Sequence, residues 1–357
     1  KAFCMISWSD SGQTHEARWR SESGAAAPRR VVVADDTLSA DTAYRLACEG
    51  TGLLWQGDFQ NARMLLQALM RRVDRKPPKA AAKAAQKMAE ATAAEAFHLH
   101  RQAQAQRARV LSSLLIALEG DYAIDLRRAP DLRQACTEAW GAATGERSVA
   151  SLRELLGLVG AHEWRKKGVE VPALGAAPNN RIHPYYGVFS PVRGEYLDLV
   201  AAAALPSKAL AFDIGVRRGV QRVVATEQDP RALACARDNL QRLGVLAQVQ
   251  LQSADLFPEG RAPLVVCNPP WVPAQPSSPV EYAVYDPDSQ MLRGFLNGLA
   301  AHLAPGGEGW LIISDLAEHL GLRSREQLLG WIAAAGLKVL GRLDTRPKHP
   351  KARDPND

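Results

Sequence analysis

Val265-Val266-Cys267-Asn268-Pro269-Pro270-Trp271 is an apolar run that ends abruptly in Asn-Pro-Pro-aromatic. Leu264, Val265 and Val266 read as a buried strand, and Pro269 stops it because proline has no N–H to give to a ladder. Pro269 and Pro270 each fix φ and push the preceding residue into an extended shape. A stiff turn at the carboxyl end of a strand follows, presenting the Asn268 amide, carbonyls unable to join a sheet, and the Trp271 ring. Such a turn suits a planar nitrogen, a poor nucleophile because its lone pair is delocalised. Asn268 Oδ1 and the Pro269 carbonyl can accept its two N–H bonds, and Trp271 can stack on its plane. The nitrogen then meets an electrophilic methyl with its lone pair free. A bare strand running into a proline-rich loop would look the same locally, so the setting decides.

That setting is a strand–helix alternation over 181–357, the pattern of a doubly wound, Rossmann-like α/β sheet. The strand cores are Leu210–Ile214, Arg222–Thr226, Val249–Gln252, Leu264–Cys267, Trp310–Ser314 and Leu337–Leu343. Asp229 with Pro230 opens one helix and Gly244 ends it. A second runs near Ser289–Leu303 to Pro305-Gly306-Gly307. A third lies between the capping pair Ser324 and Gln327 and the stop Gly336. In such sheets ligands sit beyond the carboxyl ends of the strands. The polar groups fall there in register: Asp213 and Gly215 after the first strand, Glu227 at the end of the second, Asp255 after the third, Asn268 after the fourth.

This order, with Asn268-Pro269-Pro270-Trp271, resembles the class I S-adenosylmethionine-dependent methyltransferases over 181–357, about half the chain. Within them it resembles the amino-methyltransferases of nucleic acids and the release-factor glutamine methyltransferases. The resemblance implies S-adenosylmethionine as cofactor, with Glu227 on the ribose hydroxyls and Asp255 on the adenine amine. Asp213, Gly215 and Asn268 line the same site, and Asn268, Pro269, Pro270 and Trp271 orient the acceptor. The segment Tyr185-Tyr186-Gly187-Val188-Phe189-Ser190-Pro191-Val192-Arg193-Gly194-Glu195 resembles the one that covers the cofactor in these enzymes. Phe189 is placed to pack on the methionine part, with Arg193 and Glu195 as weaker candidates. No metal is implied.

One departure stands out. The family continues from Asp-x-Gly into further glycines and a helix, whereas Gly215 is followed only by Val216-Arg217-Arg218-Gly219-Val220-Gln221 before the second strand. A parallel crossover takes a dozen or more residues, so six are expected not to return the chain to the same sheet end. Either the cofactor loop is deleted, or residues between Gly215 and Val216 are omitted from the sequence. The start at Lys1 without Met and the end at Asp357 favour omission, and a gap well beyond 3.8 Å between the two Cα atoms would establish it.

The chain has 357 residues, room for two cores, with a formal charge of +6 and a pI near 9.1. A mild basic excess favours an anionic partner. Five scattered cysteines without Cys-x-x-Cys spacing suit a reducing cytoplasm, and no apolar run approaches the roughly 20 residues that span a bilayer. Residues 1–167 read as a mainly helical substrate-recognition domain and 168–180 as a linker. Residues 1–30 look loosely ordered, Val31–Val33 and Tyr122–Leu126 are strand candidates, and Asp58 caps a helix broken by Pro77-Pro78. Lys79–Arg109 is a helical stretch rich in Ala, Gln and Lys whose end is buried by Val110, Leu111, Leu114, Leu115 and Leu118. Between Arg71 and Val110 ten basic residues face three acidic ones, an excess of seven. Such a stretch can lie on a phosphate backbone or be an ordinary solvated face.

Methyl transfer to an exocyclic base amine, in RNA ahead of DNA, is the leading function; the second substrate is a protein glutamine amide. A rival of another class is a non-catalytic binding module that kept the fold and lost the loop. A dehydrogenase is disfavoured, because no Gly-x-Gly-x-x-Gly follows the first strand.

Overall fold

The computed structural model describes residues 4–75, 78–188, 194–212, 220–276 and 279–346. The chain divides into two compact units, Lys1–Glu163 and Trp164–Asp357.

The first unit is rich in helix, as the sequence leads one to expect, but its helices accompany a six-stranded mixed sheet that was not expected. Its strands are β1 (Met5–Asp10), β2 (Gln13–Trp19), β3 (Arg30–Ala34), β4 (Thr51–Trp55), β5 (Leu114–Leu118) and β6 (Ser148–Ser151). They lie in the order β1-β2-β6-β5-β4-β3, with Ile6, Ala17, Leu54, Leu115 and Val149 packed together. Residues 1–30 are therefore not loose. β1 and β2 form a hairpin in which Ser11 and Gly12 both take positive φ (50° and 81°), the geometry of the turn that matches strand twist. Leu114, Leu115 and Leu118 do not continue a helix, because Leu114–Leu118 is a buried strand. Tyr122–Leu126, expected as a strand, is irregular.

The helices of this unit are α1 (Ala40–Cys48), α2 (Phe59–Asp74), α3 (Pro78–Glu90), α4 (Ala93–Leu111), α5 (Arg133–Trp140) and α6 (Leu152–Lys167), which runs past the unit boundary. Asp58 Oδ1 accepts from the Gln60 amide and caps α2 as expected. The Ala/Gln/Lys-rich stretch is two helices. Thr92 and Glu95 form a reciprocal capping box that opens α4, and α4 buries only Val110 and Leu111.

The second unit begins with a short ribbon, β7 (Val169–Glu170) against β8 (Arg181–Ile182), within and beside the expected linker. Five parallel strands follow: β9 (Leu210–Phe212), β10 (Arg222–Glu227), β11 (Val249–Ser253), β12 (Ala262–Cys267) and β13 (Leu303–Leu311). The helices are α7 (Glu195–Ala202), α8 (Pro230–Arg242), α9 (Gln290–His302), α10 (Leu316–His319) and α11 (Arg325–Ala334). Alternation along the strands covers both faces of the sheet. Phe212, Val224 and Val265 pack on one side with Leu292, Phe295, Leu296 and Leu299 of α9. Ala211, Val223, Leu264 and Val266 pack on the other with Val249. Asp229 Oδ1 caps α8 through the Arg231 amide, and Ser324 Oγ caps α11 through the Gln327 amide.

The strand order is β11-β10-β9-β12-β13, so the winding reverses between β9 and β12. β10 pairs in parallel with β9, Leu210 opposite Arg222, with only 213–221 between them. Gly215, Val216 and the distance between them lie outside the described residues. Leu337–Leu343 is not a strand. Val339, Leu340 and Leu343 are exposed, and no ladder partner takes them up among the described residues.

Candidate active site

The winding reverses between β9 and β12, the place in open α/β sheets beyond whose carboxyl strand ends ligands bind, and β12 delivers the motif there. β12 stays in register with β13 to its last residue, Cys267 opposite Leu311, and the Cys267 carbonyl accepts from the Ile312 amide at 2.9 Å. The strand is thus held up to the residue before Asn268. Pro269 and Pro270 are buried, while Asn268 and Trp271 are half-buried.

Asn268 Oδ1 accepts from Trp271 Nε1 at 2.9 Å. One of the two lone-pair directions of this oxygen is thus taken by the indole, and one is left for an acceptor nitrogen. The Trp271 ring meets Tyr196 of α7 edge-on, 6.1 Å between centroids at 86°. Burial pushes the Tyr196 phenol above its ordinary value, so it remains a neutral hydroxyl at physiological pH.

Behind the motif the chain is fastened twice. The Val272 amide donates to the Val284 carbonyl at 3.1 Å, and the Asp286 amide donates to the Val272 carbonyl at 2.9 Å. Asp286 is buried, and its two carboxylate oxygens accept from the Met291 and Leu292 amides at 3.0 and 3.1 Å, capping α9. Asp288 and Ser289 take left-handed φ (both 53°) to bring that carboxylate over the helix. The sequence points to a start of this helix near Ser289 and does not mark Asp286 as its cap. Arg323, in the turn between α10 and α11, is buried and donates from Nη2 to the Trp271 carbonyl at 3.3 Å. No local pattern in the sequence marks Arg323.

Glu227 closes β10 opposite Ser253, the last residue of β11. Its Oε1 accepts from the Gln228 and Asp229 amides at 2.7 and 3.0 Å, which turns the carboxylate at the sheet's edge and leaves Oε2 available to a ligand. Asp255 lies two residues beyond β11, and its Oδ1 accepts from Gln228 Nε2, so Gln228 ties the two strand-end carboxylates together. Glu227 and Asp255 are exposed. These groups fit S-adenosylmethionine in kind: carboxylate oxygens that accept from ribose hydroxyls and from an exocyclic amine stand at the ligand edge of the sheet. The expected contributions of Asp213, Gly215 and Phe189, and that of Arg193, fall outside the described residues. The segment leading to Phe189 is docked on α8. Asn239 Oδ1 accepts from the His183 amide at 2.6 Å and its Nδ2 donates to the His183 carbonyl, Tyr185 Oη donates to Asp238, and Arg231 donates to the Tyr186 carbonyl at 3.1 Å. Glu195 is the first residue of α7.

Comparison with known proteins is consistent with this arrangement. Residues 202–314 match the family model described as UPF0020, RMKL-like, methyltransferase domain. The chain is 30% identical over 191 residues to a release factor glutamine methyltransferase of Cereibacter sphaeroides, covering 46% of this chain and 66% of that protein. It is 28% identical over 132 residues to the ribosomal RNA large subunit methyltransferase K/L of Pseudomonas paraeruginosa, covering 35% and 17%. A release factor glutamine methyltransferase of Moorella thermoacetica is 31% identical over 157 residues, covering 36% and 53%. The chain thus spans less than two thirds of each of these relatives. Within the second unit, residues 202–314 are thus similar to methyltransferase domains, and S-adenosylmethionine is the methyl donor of such families. No helix among the described residues is long and apolar enough to cross a membrane.

Proposed function

We propose that this protein transfers a methyl group from S-adenosylmethionine to a planar nitrogen, an exocyclic base amine of RNA ahead of DNA. The observation that carries this reading is the Asn268 amide at the winding reversal, held between a buried double proline and the Trp271 indole. S-adenosylmethionine, when bound, supplies a methyl already activated on a sulfonium, so alignment is the main task left to the protein. The remaining lone-pair direction of Asn268 Oδ1 and the Pro269 carbonyl accept the two N–H bonds of the amine. Pro269 lies beyond the end of β12 at Cys267, so its carbonyl is outside the ladder. Trp271 and Tyr196 form an aromatic wall for a planar ring. A bound cofactor would supply the methyl and keep the carbon–sulfur electron pair as a thioether, and the nitrogen held by Asn268 and the Pro269 carbonyl would then lose a proton to solvent, which needs no strong base.

A base reaches such a site only after leaving its stack. The basic excess along α3 and α4 supports a nucleic-acid partner: Lys83, Lys87 and Arg109 are exposed, and of α4 only Val110 and Leu111 are fully buried. Arg107 is less available, since it is committed to Asp74 at 2.7 and 2.9 Å. A protein glutamine amide presents the same planar NH2 to Asn268. The similarity to release factor glutamine methyltransferases favours it as the second reading. Labelled S-adenosylmethionine incubated with separated RNA, DNA and protein fractions tests the choice, with Asn268→Ala as control. Asn268-dependent label is expected in RNA. Label in protein alone selects the glutamine reading, and label in no fraction leaves a non-catalytic binding module.

A further inference from the structure

The peptide plane between Trp271 and Val272 is gripped from both sides. Its carbonyl accepts from Arg323 Nη2, and its N–H donates to the Val284 carbonyl. That grip constrains ψ of Trp271 and with it the direction in which the side chain leaves the backbone, while Tyr196 meets the indole edge-on. In that direction its N–H reaches Asn268 Oδ1 at 2.9 Å. The chain of contacts therefore runs from Arg323 through a backbone carbonyl and an indole to the amide that would hold the acceptor nitrogen.

Stability does not account for Arg323. It is 4% exposed, and its Nε has no hydrogen-bond partner among the described residues. A buried guanidinium with donors left over is worse for folding than an apolar side chain of similar volume. Two acidic groups face it, Asp286 and Glu318. Asp286 is already satisfied by two amides of α9, and Glu318 pairs with Arg325 at 3.0 Å, so neither depends on Arg323 for a partner. What Arg323 alone supplies is a rigid donor to the Trp271 carbonyl, delivered from the α10–α11 turn where Gly321 adopts positive φ (65°).

We infer that Arg323 is a positioning residue of the acceptor site, acting through the Trp271 carbonyl and the Trp271 indole to hold the Asn268 amide in its accepting orientation. This rests on the reading of Asn268 as the residue that orients the acceptor. The indole is required: tyrosine or phenylalanine at 271 has no ring N–H to pass the constraint on.

Eight tryptophans give eight indole N–H signals in a 15N-labelled chain, and loss of one in Trp271→Phe identifies that of Trp271. In Arg323→Met this signal is expected to move towards the position of a free indole and to exchange with water at least tenfold faster. The other seven stay in place and the melting temperature does not fall. Arg323→Lys, with one donor on a flexible stem, should move the same signal less and in the same direction. A Trp271 signal that stays put in folded Arg323→Met overturns the inference, and so does a general shift of many indoles, which marks a plain structural role. If Arg323→Met does not fold, Arg323→Lys decides alone: a displaced Trp271 signal supports the inference and an unmoved one overturns it. Methyl transfer separates this outcome from the parent reading. Arg323→Met should lower kcat about tenfold with S-adenosylmethionine affinity unchanged. A wild-type chain that transfers no methyl refutes the parent reading, whereas the indole signals still judge the contact chain.

Discussion

Replacing Asn268 by alanine removes one side chain with two partners. On the protein side, Trp271 Nε1 loses its acceptor at 2.9 Å in a half-buried position. On the substrate side, the acceptor amine loses one of two hydrogen bonds. A neutral hydrogen bond contributes about 1 kcal/mol net, and a donor left unpaired away from water costs about 1–3 kcal/mol. Freed from Asn268, the indole can turn, so the ring that stacks on the acceptor drifts as well. A misplacement of about 1 Å costs on the order of a hundredfold in rate. The unpaired indole is a cost to the ground state as well, so the lost substrate hydrogen bond and the misplacement give about 3–4 kcal/mol in the transition state, or two to three orders of magnitude in kcat. Glu227 and Asp255 are untouched, so S-adenosylmethionine should bind the mutant within about twofold of wild type. Single-turnover transfer of labelled methyl gives the rate, and calorimetry the affinity. A mutant that turns over within about threefold of wild type refutes the mechanism, and one that loses cofactor affinity in step with turnover places Asn268 on the donor instead.

Glu227→Ala removes a carboxylate from the ligand edge of β10 and should weaken S-adenosylmethionine binding by at least about tenfold, since each charge-assisted hydrogen bond contributes about 1.5–3 kcal/mol; unchanged calorimetric affinity would rule out the ribose assignment. If α3 and α4 lie on nucleic acid, replacing Lys79, Lys83 and Lys87 by alanine should flatten the dependence of log affinity on log salt by about 2–3. A salt-insensitive complex, or none, would make the stretch a solvated face. In the first unit burial pushes the Glu154 carboxyl up to about 7, against the pull of the Glu22 amide that donates to it at 3.0 Å. The folded state then holds a proton that the unfolded chain releases near pH 4.5, so stability is greatest below that value and declines as pH rises to about 7. The loss is about 2 kcal/mol after allowance for partial exposure. Melting at pH 5 and pH 8 should show it, and Glu154→Gln should abolish the difference.

The second unit was legible because its signals are local and mutually consistent. Asp229-Pro230 and Ser324 start helices by satisfying first-turn amides, and runs such as Leu264–Cys267 are apolar on both faces because helices cover both. From those strand ends Glu227, Asp255 and Asn268 could be placed at one edge without coordinates. The first unit was misread for the opposite reason. Leu114-Leu115-Ile116-Ala117-Leu118 fits a buried helix end as well as a buried strand, and only its neighbours β4 and β6 decide. The β1–β2 hairpin does alternate, Ile6 and Trp8 against Ser7 and Ser9, and Ala17 and Trp19 against Glu16 and Arg18, but over two short strands whose turn rests on the pair Ser11-Gly12. Leu337–Leu343 carries strand-like residues, but a strand exists only through a partner. Arg323 was beyond reach: its contact with Trp271 joins residues 52 positions apart, through a backbone carbonyl that leaves no mark in the sequence.

The central claim concerns one atom, the nitrogen that receives the methyl. Product made with isotope-labelled S-adenosylmethionine, hydrolysed to nucleosides or amino acids and resolved by mass spectrometry, identifies that atom directly. The account predicts label on an exocyclic base amine, or on a side-chain amide if the substrate is protein, and its disappearance with Asn268→Ala. Label on carbon, oxygen, sulfur or a ring nitrogen, or transfer that survives loss of Asn268, would contradict it.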